Sequence, residues 1–161
     1  MNIAYILTGG NMSKPLQQLT AAAATIADEC GTIVSQSSIY QTAAWGNEDQ
    51  PDFLNQVLCI NTLLNPFKLL RKLLALEKKM GRTRNLQNDP RIIDLDILFY
   101  NDLIIDKPSL QLPHPRLHLR RFVLVPLAEI APQLLHPVLH KPVQQLLHEC
   151  ADTLNVKKFS L

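Results

Sequence analysis

Cysteine is scarce in this chain. Its 161 residues include only three cysteines, Cys30, Cys59 and Cys150, which are widely spaced and form no C-x-x-C pair. An odd number of isolated cysteines argues against a disulfide framework, and the missing C-x-x-C pairs argue against a zinc site. We predict that all three are reduced and serve only as packing residues.

Long hydrophobic runs and a basic leader are also missing. The apolar runs are short, such as Phe122–Ala128, whereas a helix that crosses a bilayer needs about 20 apolar residues. The first seven residues lack the positive charge of a secretory signal and have the pattern of a strand. We therefore predict a cytoplasmic protein without a membrane span.

An excess of charge of one sign is absent as well. The formal net charge is +2, which is too small to predict binding to nucleic acid or to a membrane by long-range attraction. The phosphate-binding patterns G-x-x-x-x-G-K-[ST] and G-x-G-x-x-G do not occur either. Any nucleotide must therefore be held by other means.

The chain has the size and composition of a single domain, which we place at residues 1–161. Hydrophobic residues make up 47% of it and charged residues 19%, enough apolar material for one core. Alternation and helical spacing predict strands at 2–8, 33–40, 53–63 and 92–100, helices at 15–30 and 66–80, and loops at 42–52 and 82–91. The order β-α-β-β-α-β predicts an α+β fold of the ferredoxin-like type, an antiparallel sheet with helices packed on it.

Turn residues and prolines predict finer features. Gly9, Gly10 and Asn11 indicate a turn after the first strand. The pair Asn101-Asp102 predicts a turn that leads from strand 92–100 into a partner strand at Leu103–Ile105. Prolines limit the last third to short helices near 117–127 and 143–150, in a C-terminal extension that wraps the core.

The paired acids Asp94 and Asp96 carry the clearest chemical signal. Residues two apart on a strand share a face, with α-carbons roughly 6.6 Å apart, while Ile93, Leu95, Ile97 and Phe99 are expected to seal the opposite face. Two like charges at that distance repel by roughly 2.5 kcal/mol at an effective dielectric of about 20, and a bound cation reverses that cost. Oxygen-only ligands favour Mg²⁺ completed by substrate phosphates, although two solvated acids on an exposed strand are the alternative.

Arginines before this strand favour the metal interpretation. Between Lys68 and Arg91 lie eight cations and only two acids. Arg82, Arg84 and Arg91 stand in the loop that enters the strand, and guanidinium groups make paired contacts with phosphate oxygens. Carboxylates for metal and arginines for phosphate together indicate a nucleotide-dependent transfer site.

Several motifs closely resemble those of a known enzyme family. The segment Gly81-Arg82-Thr83-Arg84, followed by Pro90-Arg91-Ile92-Ile93-Asp94-Leu95-Asp96-Ile97-Leu98, resembles the signature of the 6-hydroxymethyl-7,8-dihydropterin pyrophosphokinases of folate biosynthesis. Three further segments look like the family's other motifs, in the same order: Gln50-Pro51-Asp52-Phe53-Leu54-Asn55, Leu112-Pro113-His114-Pro115-Arg116 and Arg121-Phe122-Val123-Leu124-Val125-Pro126-Leu127. The resemblance covers about residues 3–150.

The resemblance implies a reaction and roles for individual residues. The family uses ATP and two Mg²⁺ to move the β,γ-pyrophosphoryl group to the hydroxymethyl oxygen of the pterin, and it releases AMP. By this resemblance Asp94 and Asp96 are the metal ligands, and Asp96 is also a candidate acceptor for the hydroxyl proton. The loop cations Arg82 and Arg91 would be catalytic. The nucleotide-binding residues would be Glu77, Arg84, His114 and Arg120.

The resemblance also implies a pterin pocket. Phe53 and Phe122 resemble the family's stacking pair, and a flat heterocycle needs such surfaces. Asn55 shares a face with Phe53 and offers both an amide donor and a carbonyl acceptor to the pterin edge. Backbone groups around Thr42 and Ala44 would complete that edge. We expect a monomer whose partners are ATP and the pterin.

Two other functions remain open. A small RNA-binding module would use the cationic stretch 68–91, but Asp94 and Asp96 stand where such a surface needs neutral or basic groups. A related kinase acting on another heterocyclic alcohol is the stronger alternative, because the sequence indicates phosphate handling more clearly than pterin specificity.

Overall fold

A computed structural model describes residues 1–12, 14–43, 51–81 and 93–160. The chain contains both strands and helices, as predicted for an α+β protein. The strands are β1 Asn2–Gly10, β2 Thr32–Gln36, β3 Tyr40–Thr42, β4 Phe53–Thr62, β5 Asp94–Tyr100, β6 Ile105–Lys107, β7 Leu110–Leu112 and β8 Val156–Lys158. The helices are α1 Pro15–Glu29, α2 Pro66–Lys79, α3 Arg121–Ile130 and α4 Val143–Glu149, with a short 3₁₀ helix at Leu117–Leu119.

Six of the strands form one antiparallel sheet. Its order is β5-β1-β4-β3-β8, and β2 pairs with β4 beside β3. The two longest strands, β1 and β4, therefore lie at its centre. The elements β1, α1, β2, β4, α2 and β5 make up the predicted βαββαβ core, and β8 belongs to the C-terminal extension.

Each face of the sheet is covered by helices. One core contains Ile26 of α1, Leu69 and Leu73 of α2, and the buried side chains of Ile6 and Leu95. The other core contains Leu124 of α3, Leu146 of α4, and residues from the opposite face of the same strands, Leu7, Val57 and Phe99. Alternating strand side chains thus bury both faces, as a two-residue period requires.

The N-terminus of α2 shows how local chemistry sets an element boundary. Asn65 caps the helix, because its side chain accepts a hydrogen bond from the backbone N–H of Lys68 at 2.9 Å. Pro66 follows at the first helical position, where a missing N–H costs nothing. The helix buries Leu69, Leu73 and Leu76 and exposes its basic residues, so the predicted amphipathic helix at 66–80 is confirmed.

Several finer predictions are wrong. Strand 33–40 is split into β2 and β3, and between them the hydroxyl of Ser37 accepts a hydrogen bond from Val57 N–H. The partner strand predicted at 103–105 is replaced by a separate hairpin, in which β6 pairs with β7. The predicted helix near 117–127 is present but divided into a 3₁₀ helix and α3, whereas the predicted helix near 143–150 is confirmed as α4. In each case tertiary hydrogen bonds and packing outweigh local propensity.

A bulge in β5 corrects the predicted position of Phe99. Tyr5 pairs with Phe99 and Ile6 pairs with Ile97, so Leu98 is the extra residue. An extra residue reverses the alternation beyond it. Leu95 and Ile97 pack in the α1–α2 core as expected, but Phe99 joins Leu98 in the α3–α4 core.

Two sequence predictions concern cysteines and membrane spans. Cys30 and Cys59 are buried, Cys150 is partly exposed, and none of the three forms a disulfide.

In the part of the chain that the structure describes, no helix combines the length and the apolar character that a membrane crossing requires.

Candidate active site

The predicted pair Asp94 and Asp96 lies at the start of β5, at one edge of the sheet. Both side chains are partly exposed, while Leu95 between them is buried in the α1–α2 core. Their carboxylates therefore share the opposite face, as the two-residue spacing predicted. On β1 they stand beside Gly9 and Leu7, respectively.

A buried carboxylate supports this strand from α2. Glu77 is 2% exposed, and its Oε2 accepts a hydrogen bond from the backbone N–H of Leu95 at 2.7 Å. That N–H points away from β1, on the edge of β5 that has no strand partner among the described residues. An unsatisfied N–H at a buried position is costly, and a carboxylate is a strong acceptor for it. Glu77 thus holds the backbone between the two aspartates.

His114 is attached to the same edge of β5. Its backbone N–H donates to the carbonyl of Leu98 at 2.9 Å, and its Nδ1 accepts from Arg116 N–H at 3.2 Å. Burial, together with the positive charges of Arg120 and Arg116, lowers the pKa of His114 to about 4, against the opposing effect of the Asp94 carboxylate. The imidazole is therefore neutral near pH 7 and carries its proton on Nε2, close enough to Asp94 to feel its charge.

Arg120 connects this group to an aromatic ring. Its guanidinium carbon lies 5.7 Å from the ring centroid of Phe122, within the range of a cation–π contact. Phe122 occupies the first turn of α3 and packs at the border of the α3–α4 core. A cation expected to bind phosphate and a ring expected to stack on a heterocycle are therefore neighbours.

The predicted pterin-edge residues lie on β3 and β4. Thr42 pairs with Phe53, and Tyr40 pairs with Asn55. Thr42 and Asn55 are buried, whereas Phe53 is partly exposed. Asn55 also pairs with Gly9 of β1, which in turn pairs with Asp94 of β5. Asn55, Gly9 and Asp94 therefore lie side by side on three neighbouring strands of the sheet.

Glu129 fixes α3 against the β2–β3 segment. Its carboxylate accepts hydrogen bonds from the backbone N–H and the hydroxyl of Ser38, and it lies 3.4 Å from Nζ of Lys158. Hydrogen bonds from Ser38, Lys158 and Tyr40 lower the pKa of Glu129 more than partial burial raises it. These contacts set the position of the helix that carries Phe122 relative to the strand that carries Thr42.

The residues present fit a divalent cation that is shared with a substrate. Asp94 and Asp96 offer carboxylate oxygens on one face at a partly exposed sheet edge, and Mg²⁺ commonly takes one or two carboxylates and completes its shell with water and phosphate. Within residues 1–12, 14–43, 51–81 and 93–160, no group of three or more His, Cys, Asp or Glu side chains is placed to hold a metal ion.

Comparison with known proteins places this arrangement in a family. The model of the family described as "7,8-dihydro-6-hydroxymethylpterin-pyrophosphokinase (HPPK)" matches residues 5–132, a range that contains Gly9, Asn55, the paired aspartates and Phe122. The chain belongs to this family. The predicted family and its activity class, a pyrophosphokinase of folate biosynthesis, are confirmed.

HPPK relatives support the assignment over nearly the whole chain. A 2-amino-4-hydroxy-6-hydroxymethyldihydropteridine pyrophosphokinase of Haemophilus influenzae is 40% identical over 158 residues, which are 98% of this chain and 98% of the relative. The protein of the same name in Bacillus subtilis is 45% identical over 133 residues, 82% of this chain and 80% of the relative.

Solved structures confirm the fold. The wild-type HPPK-DHPS of Plasmodium falciparum, crystallised with pterin and p-hydroxybenzoate, superposes with a TM-score of 0.77 at 18% identity. The match covers 92% of this chain but 43% of the HPPK-DHPS chain. The α+β, ferredoxin-like architecture predicted for this HPPK chain is therefore shared with a solved structure.

The structure describes most but not all of the predicted site residues. Asp94 and Asp96 share one face of β5, the charges of Asp94 and Arg120 both act on His114, and the Arg120 guanidinium lies over the ring of Phe122. Thr42, Phe53 and Asn55 lie on the paired strands β3 and β4. Ala44, Arg82, Arg84 and Arg91 lie outside the described residues, so their roles stay predictions. Glu77, predicted to bind nucleotide, is bonded to β5 beneath the aspartates, and a nucleotide contact for it also stays a prediction.

Sequence reasoning did not single out Gly9, which pairs with Asn55 on one side and with Asp94 on the other. The Gly9-Gly10 pair was expected to form a turn, but β1 continues through Gly10. A glycine inside a strand often marks a close approach by another group. That signal was available in the sequence, although the group that approaches could not be named from it.

Proposed function

We propose that this chain transfers the β,γ-pyrophosphoryl group of ATP to the hydroxymethyl oxygen of 6-hydroxymethyl-7,8-dihydropterin, releases AMP, and requires two Mg²⁺ held by Asp94 and Asp96. The observation that carries the proposal is the 5.7 Å approach of the Arg120 guanidinium to the ring of Phe122, beside His114, whose pKa is affected by the charges of both Arg120 and Asp94. Groups suited to a metal, to phosphates and to a flat heterocycle thus meet at one end of one sheet.

The phosphate-binding part of the proposal depends on charge. Bound Mg²⁺ would neutralise developing charge on the phosphate oxygens. Arg120 adds a fixed cation, and neutral His114 offers Nε2–H as a donor that needs no counter-charge. By resemblance, Arg82 and Arg91 stabilise the transferred group and Arg84 assists them. Asp96 remains the candidate acceptor for the hydroxyl proton.

The pterin-binding part depends on shape and hydrogen bonding. Phe53 and Phe122 are partly exposed rings that provide stacking surface. Asn55 is buried, so its carboxamide is held in one position and presents both a donor and an acceptor. Backbone groups near Thr42 and Ala44 would complete the pterin edge. Loops 42–52 and 82–91 would close over both substrates and exclude water.

Product identification tests the reaction type. The protein is incubated with ATP, MgCl₂ and 6-hydroxymethyl-7,8-dihydropterin, and nucleotides are separated by ion-exchange chromatography. We expect AMP and pterin pyrophosphate in equal amounts, and none without pterin or with EDTA. ADP as the product would reject pyrophosphoryl transfer. AMP formed equally well with a different heterocyclic alcohol would reject pterin specificity and favour the alternative kinase function.

We also propose that the protein acts as a monomer in the cytoplasm. Sedimentation velocity of the purified chain tests the state of assembly. A concentration-dependent shift toward twice the 18.2 kDa monomer mass would contradict it.

A further inference from the structure

Gly9 lies directly between two residues of the site. On β1 it pairs with Asn55 of β4 on one side and with Asp94 of β5 on the other. Directly paired residues of an antiparallel sheet project from the same face. Neighbouring strands are about 4.8 Å apart, so the backbones of Asn55 and Asp94 are separated by about 9.6 Å, with Gly9 midway.

The side chain of Asn55 occupies the space that a side chain at position 9 would need. A Cβ atom built on Gly9 would overlap with Oδ1 of Asn55 and would lie 3.2 Å from its Cγ. Real Cβ atoms do not approach other atoms so closely. The carboxamide of Asn55 therefore leans from β4 across β1, toward the strand that carries the aspartates.

The position of the Asn55 side chain would place a bound heterocycle close to the paired acids. Leu7 and Gly9 lie on the same face of β1, and Leu7 is buried in the α3–α4 core. At position 9 no side chain separates the Asn55 carboxamide from Asp94. A heterocycle bonded at Asn55 thus borders the paired acids directly, which the transfer of a group between two bound substrates requires.

We propose that Gly9 is a positioning residue for pterin recognition. Because Gly9 has no side chain, the carboxamide of Asn55 can lie across β1, where it binds the edge of the pterin and points toward β5, the strand that carries Asp94 and Asp96. This inference rests on the proposed function, because it assumes that Asn55 binds the pterin. Gly9 acts through the position of the Asn55 side chain.

A double-mutant cycle tests the inference. Gly9→Ala, Asn55→Ala and the double variant are compared with wild type by calorimetric titration with 6-hydroxymethylpterin in the presence of Mg²⁺ and a non-hydrolysable ATP analogue. The methyl group of Gly9→Ala overlaps mainly with the carboxamide of Asn55, which can rotate away, and it also lies 3.3 Å from the backbone carbonyl oxygen of Leu54, which must shift slightly. The protein should therefore fold with a rotated Asn55. We expect the pterin Kd to rise at least tenfold and the Kd of the ATP analogue to change less than twofold. In the Asn55→Ala background, Gly9→Ala should have no further effect on pterin binding.

The control is Ile26→Ala, on the fully buried face of α1 on the other side of the sheet. It should lower the melting temperature without changing the pterin Kd, which separates positioning from general stability. A wild-type pterin Kd for Gly9→Ala, or an equal loss in both backgrounds, would overturn the inference.

Two further outcomes are distinguishable. If Gly9→Ala alone does not fold, a folded double variant supports the inference, because removal of the carboxamide relieves the overlap, and an unfolded double variant overturns it. If the wild-type protein binds no pterin, the proposed function is wrong, and the inference about Gly9 is rejected with it.

Discussion

The carboxylate of Glu77 accepts a hydrogen bond from the backbone N–H of Leu95, the residue that separates Asp94 from Asp96. Glu77 belongs to α2 and Leu95 to an edge of the sheet, so this bond joins two elements at the site. The strand conformation that keeps both aspartates on one face is thereby stabilised by a group that is 2% exposed.

Replacing Glu77 should separate hydrogen bonding from charge. Glu77→Ala leaves the N–H of Leu95 without its acceptor, and we expect a loss of about 1–3 kcal/mol in the free energy of unfolding. Glu77→Gln retains a carbonyl acceptor and should lose less. Urea unfolding measures both variants, and amide hydrogen exchange at Leu95 should accelerate in Glu77→Ala.

Glu149→Ala is the control variant for the Glu77 prediction. Glu149 forms an exposed ion pair with Lys141 on the surface of the α3–α4 side, and its replacement should leave the exchange rate of the Leu95 amide unchanged. Equal protection of that amide in Glu77→Ala and wild type would show that the hydrogen bond does not stabilise β5.

Removing either of the carboxylates proposed to bind metal, Asp94 or Asp96, should abolish efficient turnover. Asp94→Asn and Asp96→Asn keep the side-chain volume but lose the negative charge that a divalent cation requires. Loss of several kcal/mol of transition-state stabilisation corresponds to a decrease of at least about 100-fold in kcat/KM. The rate of AMP release is measured over a range of MgCl₂ concentrations. Asp102→Asn, exposed in the turn after β5, is the matched control, and near-normal rates for both site variants would reject the metal assignment.

The ring of Phe122 should matter for the pterin more than for ATP. Phe122→Leu removes the aromatic face and its contact with the Arg120 guanidinium, so we expect the pterin KM to rise by about tenfold, the equivalent of a stacking contact of about 1.4 kcal/mol. The KM for ATP should change less. Phe159→Leu, in the C-terminal segment, removes a partly buried ring elsewhere and serves as control. An ATP KM that rises as much as the pterin KM would contradict the assignment.

Burial of His136 predicts a loss of stability in acid. His136 is 5% exposed, packs edge-on against Phe99 and His118, and accepts hydrogen bonds at Nδ1 from the N–H groups of Val138 and Leu139. Burial lowers its pKa below the ordinary value of 6.5, and the charges of His118 and His140 add to this. Below pH 6.5, His136 is therefore protonated more readily in the unfolded chain than in the folded protein. The contribution of His136 is complete above pH 6.5 and declines as the pH falls below it.

His136→Asn tests this dependence. The amide oxygen of asparagine can accept the same two hydrogen bonds but does not titrate in this range. The free energy of unfolding, measured by urea denaturation from pH 7.5 to pH 5, should fall less for the variant than for wild type. His136→Leu should be less stable at every pH, because the two N–H groups lose their acceptor. Parallel profiles for wild type and His136→Asn would refute the prediction.

Local patterns in the sequence were enough to identify the chemistry. The spacing of Asp94 and Asp96 places both on one face in any extended strand, and the leucine spacing of α2 defines a buried stripe in any helix. These are properties of a few consecutive residues, so they do not depend on the rest of the fold. The family motifs are likewise short segments that retain their residue types.

Only the tertiary structure revealed which distant residues meet. Glu77 beneath Leu95, the Asn55 carboxamide over Gly9 and the bulge that turns Phe99 toward α3 all depend on strand register and on packing between elements far apart in the chain. A shift of register by one residue would move every strand side chain to the other face. The sequence by itself thus determined the chemical groups and their local faces, whereas long-range pairing decided their neighbours, because register is settled by the packing of the whole sheet against both layers of helices.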